Sequence, residues 1–314
     1  MASDSPRRRR PDDPQRRRLD LATECDAGHR NRTTDRRRHQ RRHQVTTRVH
    51  EGPSAVPRRI NAERIVLFGW GRAILMQLAH PLIAAGVYDH SGFRATPWAA
   101  ITRLYHTVHA MLALTFGTPA EYERALEGIR AIHRRVNGVL ADTVGPFPAG
   151  ARYSAEDPDL VLWVHVTLLE SLPLTYELLV APLSIEERDA YCEEAAAVAI
   201  ALCAREAEVP RTWDATQRYI ARVRASGVIT VGDQARTLAR SVLSPPGGWA
   251  LGPASFINRI VTTGVLPSDL REQYGLPWSV GYQRAFNTIV PTLREARRVL
   301  PKPVAWWPEA RRQS

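Results

Sequence analysis

Six histidines, His80, His90, His106, His109, His133 and His165, fall within one stretch of 86 residues, and none follows them. Neutral imidazole is the commonest metal ligand and the usual proton carrier near neutral pH. The segments around these six otherwise read as buried helix, so their density points to a metal or haem centre more than to scattered surface residues. For any one histidine taken alone, a satisfied core or capping role is the better reading. Spacing and neighbours have to separate them.

Arg103, His106 and Thr107 stand at i, i+3 and i+4, which stacks them on one helix face. A guanidinium, an imidazole and a hydroxyl are costly to bury without a shared polar partner. An anion, a haem propionate or iron-bound dioxygen would serve. A solvated polar face is the alternative, weakened by the apolar Trp98, Ile101, Leu104, Val108 and Leu112 around it. His133 follows Ile129 by one turn and precedes Val136 and Leu140, so it is predicted to point with the core-facing stripe of a helix running to about Thr143. Gly138 leaves room beside it for a bulky group or another helix. His80 and His90 bracket a bend, where His80 reads as a cap. His165 sits in the apolar run Leu162-Trp163-Val164-His165, where its ring needs a partner.

Several constellations are missing. There is no HExxH, GxSxG or Gly-rich phosphate loop, no pair of Glu-x-x-His motifs for a di-iron bundle, and no CxxCH for covalent haem. Non-covalent haem or another metal site with a histidine ligand remains. The net charge of +11 is uneven: residues 1–58 carry 16 arginines against 8 acids, leaving +3 for the rest. Lysine occurs once, at Lys302. So strong an arginine bias reads as GC-rich codon usage, and no nucleic-acid partner is expected. Cys25, Cys192 and Cys203 form no metal or redox spacing; the last two read as buried free thiols in a reducing, cytoplasmic setting. No run of 18 apolar residues occurs, which excludes a transmembrane span but leaves room for peripheral membrane contact.

Helices must position these groups. Residues 1–58 have almost no apolar periodicity and are expected to be a disordered leader, or the product of a start assigned too far upstream. Residues 60–87 predict a central helix bent or split at Pro81. Thr96-Pro97, Thr118-Pro119 and Asp157-Pro158 mark helix starts, and Ser184 with Glu187 is a capping box opening a helix to about Glu208. Further helical spacing covers about 213–226, 231–243, 254–264 and 279–299, with a break at Pro245 to Gly248. With no sustained alternation of period two, the fold class is all-α: one compact domain over 59–300 and a short tail, 301–314.

Taken in order, Ala79-His80-Pro81, Asp89-His90-Ser91, Arg103 to Thr107, Ile132-His133 with Val136 and Gly138, Tyr153 to Pro158, and Trp163-Val164-His165 resemble the MpaB/rubber-oxygenase catalytic domain. That family includes the latex-clearing proteins, and the likeness spans about residues 60–243. It implies an all-helical domain enclosing a pocket for haem b, with His133 as proximal iron ligand. Arg103, His106 and Thr107 would be the catalytic set on the distal side, with Arg103 and His165 also facing the cofactor. Better-known members carry lysine where this chain has His106, a residue able to take the sixth iron position or to donate a hydrogen bond to dioxygen. The implied activity is that of an oxidoreductase: dioxygen activated at His-ligated iron attacks a small apolar substrate, an isoprenoid or other alkene. The substrate itself does not carry over, nor does an oligomeric state. Asp89, His90 and His165 are candidates for a base. Two alternatives stand beside this reading: a non-catalytic haem sensor or carrier with His106 and His133 both on the iron, and a helical module with structural histidines.

Overall fold

The computed structural model describes residues 55–90, 99–244 and 252–312. The leader up to residue 54, with its expected disorder, lies outside the described residues, as do the Thr96-Pro97 helix start and the Pro245 to Gly248 break. In chain order come α1 (Ala55–Ala62), a 3-10 turn (Arg64–Val66), α2 (Leu67–Leu78), α3 (Pro81–His90), α4 (Ala99–Phe116) and α5 (Pro119–His133). A small antiparallel pair follows, β1 (Asn137–Val139) and β2 (Arg152–Ser154). Then come α6 (Pro158–Leu179), α7 (Ile185–Ala201), α8 (Trp213–Ala225), α9 (Asp233–Leu243), α10 (Gly252–Val265), α11 (Ser268–Gln273), α12 (Val280–Val299), α13 (Lys302–Ala305) and α14 (Pro308–Arg311). The fold is all-α.

Helices α2 and α6 make the most extensive contact and form its axis. A Cβ added at Gly69 would stand 2.7 Å from both the Ser171 carbonyl oxygen and Thr175 Oγ1, and one at Gly71 would stand 2.6 Å from Thr262 Oγ1. The backbone of α2 is therefore seated directly on α6 and α10. Arg72, 4% exposed, crosses the same interface. Its Nη1 donates to Ser171 Oγ at 2.7 Å and pairs with Glu170 Oε2 at 2.7 Å, while its Nε donates to the Val265 carbonyl at 2.9 Å. Further along, the Trp163 indole donates to the Met76 carbonyl and Gln77 Nε2 to Thr167 Oγ1. These ties hold one register of α2 on α6.

The predicted break at Pro81 is a bend of 106° between the segment ending at Leu78 and α3. His80 caps it, its Nδ1 accepting from the Leu82 amide at 3.3 Å. The starts read from Thr118, Asp157 and Ser184 are all present, with capping boxes at Thr118 with Glu121 and Ser184 with Glu187. No described helix alone is long and apolar enough to cross a membrane.

Three readings need correction. Helix α5 stops at His133, ten residues before Thr143, because Asn137 and Gly138 leave the helix to pair with Ser154 and Tyr153. Helix α7 ends at Ala201, short of Glu208, and Cys203 beyond it takes a positive φ of 77°. Cys192 is the expected buried free thiol. The segment after residue 300 is docked by α14, where Ala310 joins Ala62, Val108, Leu112 and Phe116 in one apolar cluster.

Overpacking the α2–α6 contact is expected to be expensive. Gly69→Val should cost about 2–4 kcal/mol of unfolding free energy. Gly128→Ala, where an added Cβ on α5 meets nothing within 4 Å, should gain about 0.5–1 kcal/mol. Denaturant unfolding of both variants checks the contrast.

Candidate functional site

The site residues are carried by the α4–α5 hairpin and by α6. The hairpin turns at Gly117 and is closed by Thr118, which accepts from the Glu121 amide while the Glu121 carboxylate accepts from the Thr118 amide. Apart from α5, α4 packs chiefly on α1 and α14, through Val108, Leu112 and Phe116. Helix α5 makes no contact of similar extent with any described helix but α4. Among the described residues the hairpin is thus held chiefly through α4.

On α4, Arg103, Thr107 and Met111 follow at intervals of four and form one stripe. Met111 packs with Trp70 of α2 and Leu168 of α6 in one apolar cluster. Of Arg103 only its place in α4 is described. His106 and Thr107 are exposed. The His106 ring makes an edge contact with Tyr105 at 5.7 Å between centroids, and Tyr105 lies against His109 at 4.1 Å. His109 approaches Glu309 of α14 at 4.0 Å, which places it at the docked tail rather than in the site.

His133 is the last residue of α5 and is half-buried. Burial holds its pKa below the ordinary histidine value, and its ring has no hydrogen-bond partner among the described residues. Arg130, one turn earlier, anchors this end of the helix by donating twice to the Ala201 carbonyl, at 2.7 and 3.0 Å. Arg205, just beyond, pairs with Asp159 in the first turn of α6. His133 therefore sits at the end of the fold where α6 begins and α7 finishes.

The chain after His133 is held by Tyr153 together with Asp89 and His90, the last two read from the sequence as candidate bases and not as ties. Tyr153 Oη donates to Asp89 Oδ2 at 2.6 Å, and His90 Nε2 lies 2.9 Å from the Asn137 carbonyl oxygen. The Tyr153 ring covers Gly138, where an added Cβ would meet Oη at 2.5 Å. The space left by Gly138 is taken by this tyrosine, not by another helix. Asp89 and His90 thus fasten α3 to the strand following His133. The available signal was the lone tyrosine beside an acidic helix end, and only the pairing of β1 with β2 joins them.

His165 stands one turn before Leu168 on α6. Its Nε2 is fully enclosed without a hydrogen-bond partner, and burial lowers its pKa to about 4. The partner that its apolar helix was expected to supply is missing. His133 and His165 are both desolvated, and neither ring has a hydrogen-bond partner among the described residues, so each could accept a ligand. Among the described residues no three of His, Cys, Asp or Glu gather as a metal cage. A porphyrin iron does not need one, since it takes only an axial ligand from the protein.

The chain matches the family described as ER-bound oxygenase mpaB/B′/Rubber oxygenase, catalytic domain, over residues 58–295. It is also 28% identical over 232 residues to an uncharacterized protein of Mycobacterium tuberculosis and to one of Mycobacterium bovis. Each alignment covers 73% of this chain and 87% of the relative. No solved structure matches it.

The burial of His165 fixes the sign of a pH effect. Unfolded, it takes a proton near pH 6.5; folded, only near pH 4. The unfolded state binds more protons in between, so this contribution is complete above about pH 6.5 and is lost as pH falls toward 4, approaching about 3 kcal/mol. His165→Leu should flatten the fall of Tm over that window. An identical pH profile for both proteins contradicts the assignment.

Proposed function

The chain belongs to the mpaB/rubber-oxygenase catalytic-domain family, and from that premise we propose a haem b-dependent oxygenase of a small apolar alkene, with His133 as the iron ligand. The observation that carries this reading is the pair of desolvated imidazoles, His133 and His165, without hydrogen-bond partners among the described residues. Haem b, when bound, supplies an iron centre for dioxygen activation.

The protein's part follows from its residues. Burial lowers the pKa of His133, which favours the neutral ring whose lone pair can coordinate a metal. Arg130, pinned on the Ala201 carbonyl, holds that end of α5 in place. Arg103, His106 and Thr107 would offer donors from one face of α4 where negative charge develops on the reacting oxygen. His165 would present its buried Nε2 to the cofactor, and the apolar Met111 and Leu168 nearby would keep water out. A haem carrier is the second reading, favoured by an exposed imidazole at His106, a stronger ligand than the lysine of better-known relatives. Of the candidate bases, Asp89 and His90 are occupied in fastening Tyr153 and Asn137, which leaves His165.

The test is oxygen consumption with apolar alkenes, followed by product analysis. Thr107→Val should lower turnover roughly 10²–10³-fold with haem content unchanged, and Arg103→Ala should lower both turnover and haem content. Carbon monoxide should bind the reduced protein. A reduced spectrum indifferent to carbon monoxide, with no turnover on any alkene, would favour the carrier.

A further inference from the structure

Seven consecutive exposed residues, Arg298 to Val304, form a prong between α12 and α14. Five are apolar or proline, two are cations, and none is acidic. Val299, Leu300 and Val304 are 83%, 41% and 51% exposed, three of the large apolar side chains left in solvent. Lys302, the only lysine of the chain, lies among them, with its Nζ 4.6 Å from the Trp306 ring.

The backbone of this prong suits a medium poor in water. Pro301 and Pro303 have no N–H. The Leu300 amide donates to Ala296, and those of Val304 and Ala305 both donate to Pro301. Of the four amides from Leu300 to Ala305 only that of Lys302 lacks an acceptor among the described residues, so the segment loses less on leaving water than an open loop with several unmet amides. Val299, Leu300 and Val304 would enter the acyl boundary while Lys302 and Arg298, the latter paired with Glu295 at 2.6 Å, extend to headgroups. Arg311 and Arg312 are also exposed at the end of α14, and Glu295 and Glu309 are the only acids between residues 294 and 312. The charge therefore complements an anionic surface. Three protruding side chains are far less than the roughly 800 Å² per partner of a stable protein interface.

We infer that Arg298 to Val304 docks the protein peripherally on an anionic lipid surface. The surface would lie beside α4, since α14 packs on that helix, so an apolar substrate could reach the site from the bilayer. The inference stands on the prong's own chemistry and does not require the haem reading.

The test must separate the prong from the basic leader. Full-length protein and the triple variant Val299→Ser, Leu300→Ser, Val304→Ser are sedimented with vesicles of phosphatidylcholine containing roughly one-third phosphatidylglycerol. Salt at about 0.5 M screens the leader's exposed charges beyond a few ångströms. The wild type should still bind, and the triple variant at least tenfold more weakly, with unchanged Tm because the three side chains are exposed. Equal binding of both proteins, or no binding by the wild type, overturns the proposal. A wild-type dimer on size-exclusion chromatography that dissociates in the triple variant also overturns it, in favour of a second copy as occupant.

Discussion

Everything in this fold is referred to the contact between α2 and α6, which two glycines and one buried arginine define. Gly69 and Gly71 let the backbone of α2 rest on Ser171, Thr175 and Thr262, distances that no side chain would permit. Arg72 then binds Glu170, Ser171 and the Val265 carbonyl in the same interface. A buried ion pair adds little net stability, but removing one partner strands the other at a cost of about 3–5 kcal/mol. The pair's main effect is to make alternative registers unaffordable. That register decides which stripe of α6 meets α4, and hence where His165 points.

Against this rigid axis, the α4–α5 hairpin is loosely attached. It is sealed to α1 and α14 by an apolar cluster and touches α2 and α6 through Met111. At its far end it is fixed by polar ties, Arg130 to Ala201 and Tyr153 to Asp89. A stiff wall carrying His165 and a strapped hairpin carrying His133, His106 and Thr107 are the parts that an inserted flat group would need. The low proton affinity of both inner imidazoles follows from the same enclosure. Desolvation disfavours their charged form and leaves their lone pairs for another use.

Much of this was legible in local chemistry. Thr118, Asp157 and Ser184 announced helix starts because a cap needs only its own next three residues. His80 announced a cap for the same reason. The end of α5 was not legible, since Val136 and Leu140 continue the helical spacing beyond His133. Only the distant strand 152–154, pairing with 137–139, ends that helix. The docking of α14 and the anchoring of Arg130 were hidden likewise, because both depend on residues far along the chain. At the candidate site, residue types and spacing offered His133 and the α4 face as possibilities, and the family resemblance alone gave His133 the role of iron ligand. That His165 lacks a partner while His90 has one required the packed structure.

The central claim is one axial bond, and an absorption spectrum tests it most directly. Protein reconstituted with haemin should show a Soret band, and His133→Gly should lose or shift it, with added imidazole restoring the wild-type spectrum. A wild-type protein that shows no band after reconstitution, or a His133→Gly spectrum identical to wild type, would contradict it.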